Sequence, residues 1–152
     1  LTKWHSQRLM LKESRIERLA GIEALTNLEV LDFAYTSRLK SLAGIEQLDG
    51  KKLTTVRFDV AKHVGKEAHR FVKLSQLEGL QLWGCGEIPT LAPFMKHPNL
   101  QNLDLDLDEK TNVLDGDMNV FHHTTVGSFA NKRHYQPKIK EIEASRADSL
   151  DK

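Results

Sequence analysis

One motif constrains this chain more than any other feature. A pair of apolar residues at i and i+2, preceded by a third at i−3, recurs at intervals of 22 to 25 residues. It reads Leu28, Leu31, Phe33, then Leu53, Val56, Phe58, then Leu77, Leu80, Leu82, then Leu100, Leu103, Leu105, with Leu9 and Leu11 as a truncated first copy. The equivalent positions Leu9, Leu31, Val56, Leu80 and Leu103 are separated by 22, 25, 24 and 23 residues. The phrase LAGIE also repeats, beginning at Leu19 and again at Leu42. Self-similarity at such a period marks a chain built from units that cannot bury their apolar faces alone and must stack.

Alternation of apolar and other residues puts Leu31 and Phe33 on one face of a strand and Asp32 on the other, and the same holds in every copy. A strand this short is stable only beside parallel neighbours that share a core and a backbone ladder. Between the strand motifs, Ile16, Leu19, Ile22 and Leu25, then Leu39, Leu42, Ile45 and Leu48, fall at spacings of three, which suits tight 3₁₀-like or short helical returns. An all-helical repeat is the alternative, opposed by the turn clusters and β-formers around each motif. The third unit is irregular: Gly65 to Gln76 presents Ala68, Phe71, Val72 and Leu74 as a helical face. The fourth carries Pro89, Pro93 and Pro98, so an extended return is expected there.

These residues resemble the leucine-rich-repeat family, consensus L-x-x-L-x-L-x-x-N/C-x-L, over roughly residues 8–114, and LAGIEALTNLEVLDF is most similar to its short-period, bacterial internalin-like branch. The resemblance implies an α/β repeat fold: a leucine-rich-repeat solenoid with a curved parallel sheet of about five short strands and 3₁₀, helical or extended returns on the convex side. The family's Asn/Cys position holds Ser14, Thr36, Ala61, Cys85 and Asp108, so the array departs from consensus; Cys85 there implies a buried structural thiol rather than a nucleophile. The organisation expected is a solenoid over 1–114 and a C-terminal cap with a tail over 115–152. Apolar residues from Val113 to Phe129 form the cap, and a short helix opens near Pro137. Before Leu9 only Trp4 is available to cover the first unit, so Leu1 is expected to be a boundary within a longer protein.

Composition narrows function. With 39% hydrophobic and only 7% aromatic residues, leucine and isoleucine must carry the core. Lys and Arg total 22 against 21 Asp and Glu, a net charge of +1, which gives no bulk attraction to nucleic acid or anionic membrane. Cys85 is the single cysteine, excluding an intramolecular disulfide, and no apolar stretch approaches the roughly 18 to 20 residues that span a bilayer. Cytoplasmic is the default localisation. Nucleophile-elbow, phosphate-loop and zinc-protease motifs are absent, so the chain reads as non-catalytic, with no cofactor and no metal site. His63, Glu67 and His69 cluster in sequence, but only the first two share a helical face; the adjacent His122 and His123 read as loop polarity.

Recognition is therefore assigned to the residues between the leucines, which alternation sends to the concave face of the sheet. The candidate partner-binding residues are Asp32, Arg57, Asp59, Gln81, Trp83, Asp104 and Asp106. Alternation would align Asp104, Asp106 and Asp108 as an acidic strip suited to a partner protein with a basic surface. Trp83 among carboxylates has the composition of a binding hot spot, the alternative being a ring packed into a neighbouring turn. Within this reading the chain is a protein-interaction module; the narrower roles are an immunity protein neutralising a bacterial toxin, or a targeting or substrate-positioning segment of a larger enzyme or effector.

Overall fold

The computed structural model describes residues 7–106 and 110–151. Its strands are β1 (Arg8–Lys12), β2 (Val30–Ala34), β3 (Thr55–Asp59), β4 (Gly79–Trp83), β5 (Gly86–Ile88), β6 (Asn102–Leu105), β7 (Thr111–Val113) and β8 (Val126–Ser128), followed by one α-helix, α1 (Ile139–Leu150). Six of the strands form an α/β fold's parallel sheet in the order β1-β2-β3-β4-β6-β8, and β5 and β7 pair in a second, two-stranded parallel sheet. Every neighbour in the large sheet follows its partner in the chain, so each crossover runs behind the sheet and packs against it.

The register is the one the leucine spacing predicts. Leu9, Leu31, Val56, Leu80 and Leu103 are consecutive partners across the sheet, and so are Leu11, Phe33, Phe58, Leu82 and Leu105 where paired. From β2 onward these two rows are buried, with the intervening residues more exposed. Each leucine buried in full contributes about 1.5–3 kcal/mol relative to exposure. Backbone pairing repeats as faithfully. The carbonyls of Gln7, Glu29, Thr54, Glu78 and Gln101 each accept two successive N–H groups from the start of the next strand, at 2.7–3.1 Å. After the strand, Glu13, Tyr35, Val60 and Gly84 occupy equivalent positions with φ of 53°, 54°, 54° and 59°. Only Gly84 adopts that left-handed conformation without steric cost; at Val60 a β-branched residue is held there with its N–H bonded to the Trp83 carbonyl at 2.9 Å.

Returns behind the sheet are 3₁₀ segments: Ile22–Ala24, Ile45–Leu48, Gly65–Lys73, Ala92–Lys96 and Asn119–His122. The third confirms the helical face expected from Ala68 and Phe71, both buried, and Phe71 lies against Phe58 with ring centroids 5.8 Å apart. The fourth corrects the fully extended expectation. It is extended only over β5, and Pro93 then sits in the first turn of a 3₁₀ segment, where a missing N–H costs nothing. Side chains stitch successive returns together: Glu67 Oε2 accepts Leu42 N–H (2.9 Å) and Arg70 Nε–H (2.7 Å), Arg70 Nη1 meets Glu46 Oε1 (2.7 Å), and Asp49 Oδ1 accepts the Ser75 hydroxyl (2.7 Å) and N–H (2.9 Å). The two bonds from Ser75 hold the Asp49 carboxyl below its ordinary range, as a stabilised carboxylate should be.

A sixth strand is the main departure from the expected count of about five. Val126, Gly127 and Ser128 pair with Asn102, Leu103 and Asp104, so this unit reads Thr124, Gly127, Phe129 where its neighbour reads Leu100, Leu103, Leu105. A Cβ on Gly127 would lie 2.7 Å from both the Leu103 carbonyl and a Phe121 ring carbon. The Phe121 ring thus takes the room that leucine fills elsewhere. One hydrophobic core runs from Leu19 to Ile142, continuous across the change of residue pattern at 114. Phe121, Phe129, Tyr135 and Ile142 finish it, with Phe121 and Phe129 ring centroids 4.6 Å apart. Helix α1 starts at Ile139, two residues beyond Pro137, with Glu141 Oε2 accepting the Lys138 N–H.

Candidate functional site

The face of the sheet opposite the core carries a column of in-register residues: Met10, Asp32, Arg57, Gln81, Asp104 and Ser128. Strand pleating places them there, one per strand, about 4.8 Å apart. Their charges are arranged unevenly. Asp32 Oδ2 is 2.8 Å from Arg8 Nη2 and 3.9 Å from Arg57 Nη1, so on the β1–β3 side one carboxylate is shared by two guanidinium groups. Asp104 Oδ1 accepts the Ser128 hydroxyl at 3.1 Å. Among the described residues, no cationic group lies within 4.0 Å of Asp104 or Asp59.

Alongside runs a second row, Lys12, Ala34, Asp59 and Trp83. Trp83 is 41% exposed, and it is Asp59's direct register partner. Tyr35, one residue beyond this row, is 51% exposed and was not legible as a surface residue from the leucine spacing. It belongs to the left-handed position that ends each strand, which sequence periodicity does not track. On the other flank stand Arg8, Val30, Thr55, Gly79, Asn102 and Val126. Because Gly79 has no side chain, a hollow of about 270 Å³ opens there, bounded by Thr55, Arg57, Gln81, Asn102, Asp104 and Val126.

Of the seven residues expected to form this surface, six are on it: Asp32, Arg57, Asp59, Gln81, Trp83 and Asp104. Asp106 is not. It is 8% exposed, and its Oδ2 accepts the Gly84 N–H at 2.9 Å. The reason is a change of backbone path. In the preceding units the residue after the strand donates to a main-chain carbonyl of the next unit: Glu13 to Ala34, Tyr35 to Asp59, Val60 to Trp83. At the next step the Asp106 carboxylate stands in for that carbonyl, while the Asp106 carbonyl itself accepts from Ala130 N–H at 3.3 Å. Strand β6 ends at Leu105, so alternation no longer governs where Asp106 points. Asp108, the third member of the expected acidic strip, lies outside the described residues.

The other chemistry-bearing residues are spread or bound into structure. Glu67 faces Leu42 and Arg70, and among the described residues no three His, Cys, Asp or Glu side chains converge as a metal site; His122 and His123 are both exposed. Cys85 is fully buried, 3.4 Å from the Trp83 carbonyl, and burial reinforced by Asp106 pushes its thiol well above the ordinary range. Its N–H meets Thr111 Oγ1 at 3.1 Å, and the Thr111 hydroxyl donates to the Leu82 carbonyl, also at 3.1 Å. In the tail, Lys138 Nζ donates to the carbonyls of Lys132 and Arg133, and His134 Nε2 lies 2.9 Å from the Val113 carbonyl. No helix among the described residues is long and apolar enough to cross a membrane.

Comparison decides nothing about family. No family model, curated protein or solved structure matches the chain significantly.

Proposed function

We propose that the chain is a leucine-rich-repeat solenoid that serves as a non-catalytic protein-interaction module, holding its partner on the polar face of the six-stranded sheet. Strand register at 22- to 25-residue steps, the recurring two-fold carbonyl acceptors and the common left-handed turn support the solenoid reading. One observation carries the functional reading: an exposed Trp83 stands beside Asp59, whose charge has no cation within 4.0 Å among the described residues, on paired strands rather than a loop. A rigid aromatic anchor with adjacent charge is what a protein interface uses for affinity and for steering. The immunity and substrate-positioning roles both draw on this same face.

A photo-crosslinking residue placed at Gln81, compared with one at Glu23 in the first 3₁₀ return, tests the assignment. Crosslinking to a partner from Gln81 alone is expected, and Trp83→Ala should weaken that partner's binding by about 2 kcal/mol. Crosslinking from Glu23 alone, with affinity unchanged in Trp83→Ala, overturns the assignment.

A further inference from the structure

We infer that the hollow at Gly79 is the subsite for a single basic side chain, arginine or lysine, from the partner protein; this rests on the proposed use of the polar face. Three observations fix the occupant. The first is size. At about 270 Å³, on an open sheet face, the hollow has room for one inserted side chain.

The second is charge. Two ionised residues border the hollow, and they are not equivalent. Arg57 already has Asp32 within 3.9 Å, on the side away from β4. Asp104 has the Ser128 hydroxyl and, among the described residues, no cation within 4.0 Å. Because Arg57 and Asp104 stand on strands separated by β4, two register steps place them roughly 10 Å apart. Arg57 Nη1 reaches toward Asp32 on β2, away from the strand that carries Asp104. An anion seated on Arg57 would have to compete with Asp32.

The third is the wall. Gln81, Asn102 and Thr55 line the hollow, and each carries a side-chain oxygen able to accept from the N–H donors of a guanidinium or ammonium group. Val126, 55% exposed, gives the aliphatic stem an apolar surface to lie on. The hollow can be closed without disturbing the strand. A Cβ on Gly79 would be 3.8 Å from Thr55, ordinary contact, so Gly79→Leu is sterically admissible.

Random dodecapeptides displayed on phage, selected on the intact chain and then screened on Gly79→Leu, Asp104→Asn and Trp83→Ala, test this subsite. Matching circular dichroism and melting temperature should first show each variant folded. Peptides that lose binding to Gly79→Leu are expected to share an arginine or lysine, to weaken by about tenfold on Asp104→Asn, and to weaken further as salt rises. Hollow-dependent peptides that share an aspartate or glutamate, or only apolar residues, would overturn the inference. Peptides that need Trp83 but bind Gly79→Leu normally would remove the subsite and keep the polar face as the interface. Peptides indifferent to all three variants would remove both.

Discussion

The two ends of the core are built by different rules. At the β1 end, Leu9, Leu11 and Ile16 are half-buried and border an apolar hollow of about 210 Å³ that reaches Leu19 and Phe33. At the β8 end, Phe121, Phe129, Tyr135 and Ile142 are all buried. There Arg146 Nη2 donates to the Phe121 carbonyl (2.8 Å) and the Thr124 hydroxyl (3.0 Å), tying α1 to the last unit. The Tyr135 hydroxyl accepts the Val113 N–H at 2.8 Å, so even the polar tip of that ring is satisfied inside. A repeating unit leaves the same apolar face open at every step, so another copy of the motif cannot close it. Closure takes a sequence that breaks the repeat: large rings in place of leucines, and a helix across them.

That contrast makes graded predictions. Phe121→Ala removes the ring that occupies the space above Gly127, and a loss of about 3–5 kcal/mol is expected in urea denaturation. A loss under about 1 kcal/mol would mean that the β8 end is not closed as described. Next, Arg146→Ala removes the charged donor shared by the Phe121 carbonyl and the Thr124 hydroxyl, leaving only their mutual bond at 3.3 Å, and should cost about 1–3 kcal/mol. Asp106→Ala takes away the acceptor of the buried Gly84 N–H, with a similar cost of about 1–3 kcal/mol and a higher rate of hydrogen exchange at the Gly84 amide. Leu9→Ala, by contrast, deletes a half-buried side chain, so about 1 kcal/mol is expected, and equality with Phe121→Ala would erase the difference between the ends. Smallest is Asp104→Ala, where stability should stay within about 0.5 kcal/mol while binding of a basic partner falls. The pair Asp106 and Asp104 thus sets a carboxylate buried in the fold against one on the polar face of the sheet.

How much was legible followed from what each residue answers to. Alternation named the core rows, because side-chain direction along a strand is set locally by the pleat. It also named the polar column from Asp32 to Asp104, and Trp83 beside it, since these sit within β2 to β6. It failed one residue past a strand end, at Asp106, and at Tyr35, where a left-handed turn redirects the chain. The sixth strand escaped for another reason. Thr124, Gly127 and Phe129 hold the right positions but the wrong residue types, since part of their volume comes from Phe121, on a different segment.

By itself, then, the sequence determined the repeat, its step length and the register of β1, β2, β3, β4 and β6, all consequences of local periodicity. Tertiary structure alone decided the sixth strand, the inward turn of Asp106 and the hollow at Gly79. Each depends on volume or hydrogen-bonding capacity supplied by a neighbouring unit. A strand motif specifies where its own side chains point, but the space left by a glycine, and the donor left over at a ladder's end, belong to whatever packs beside it.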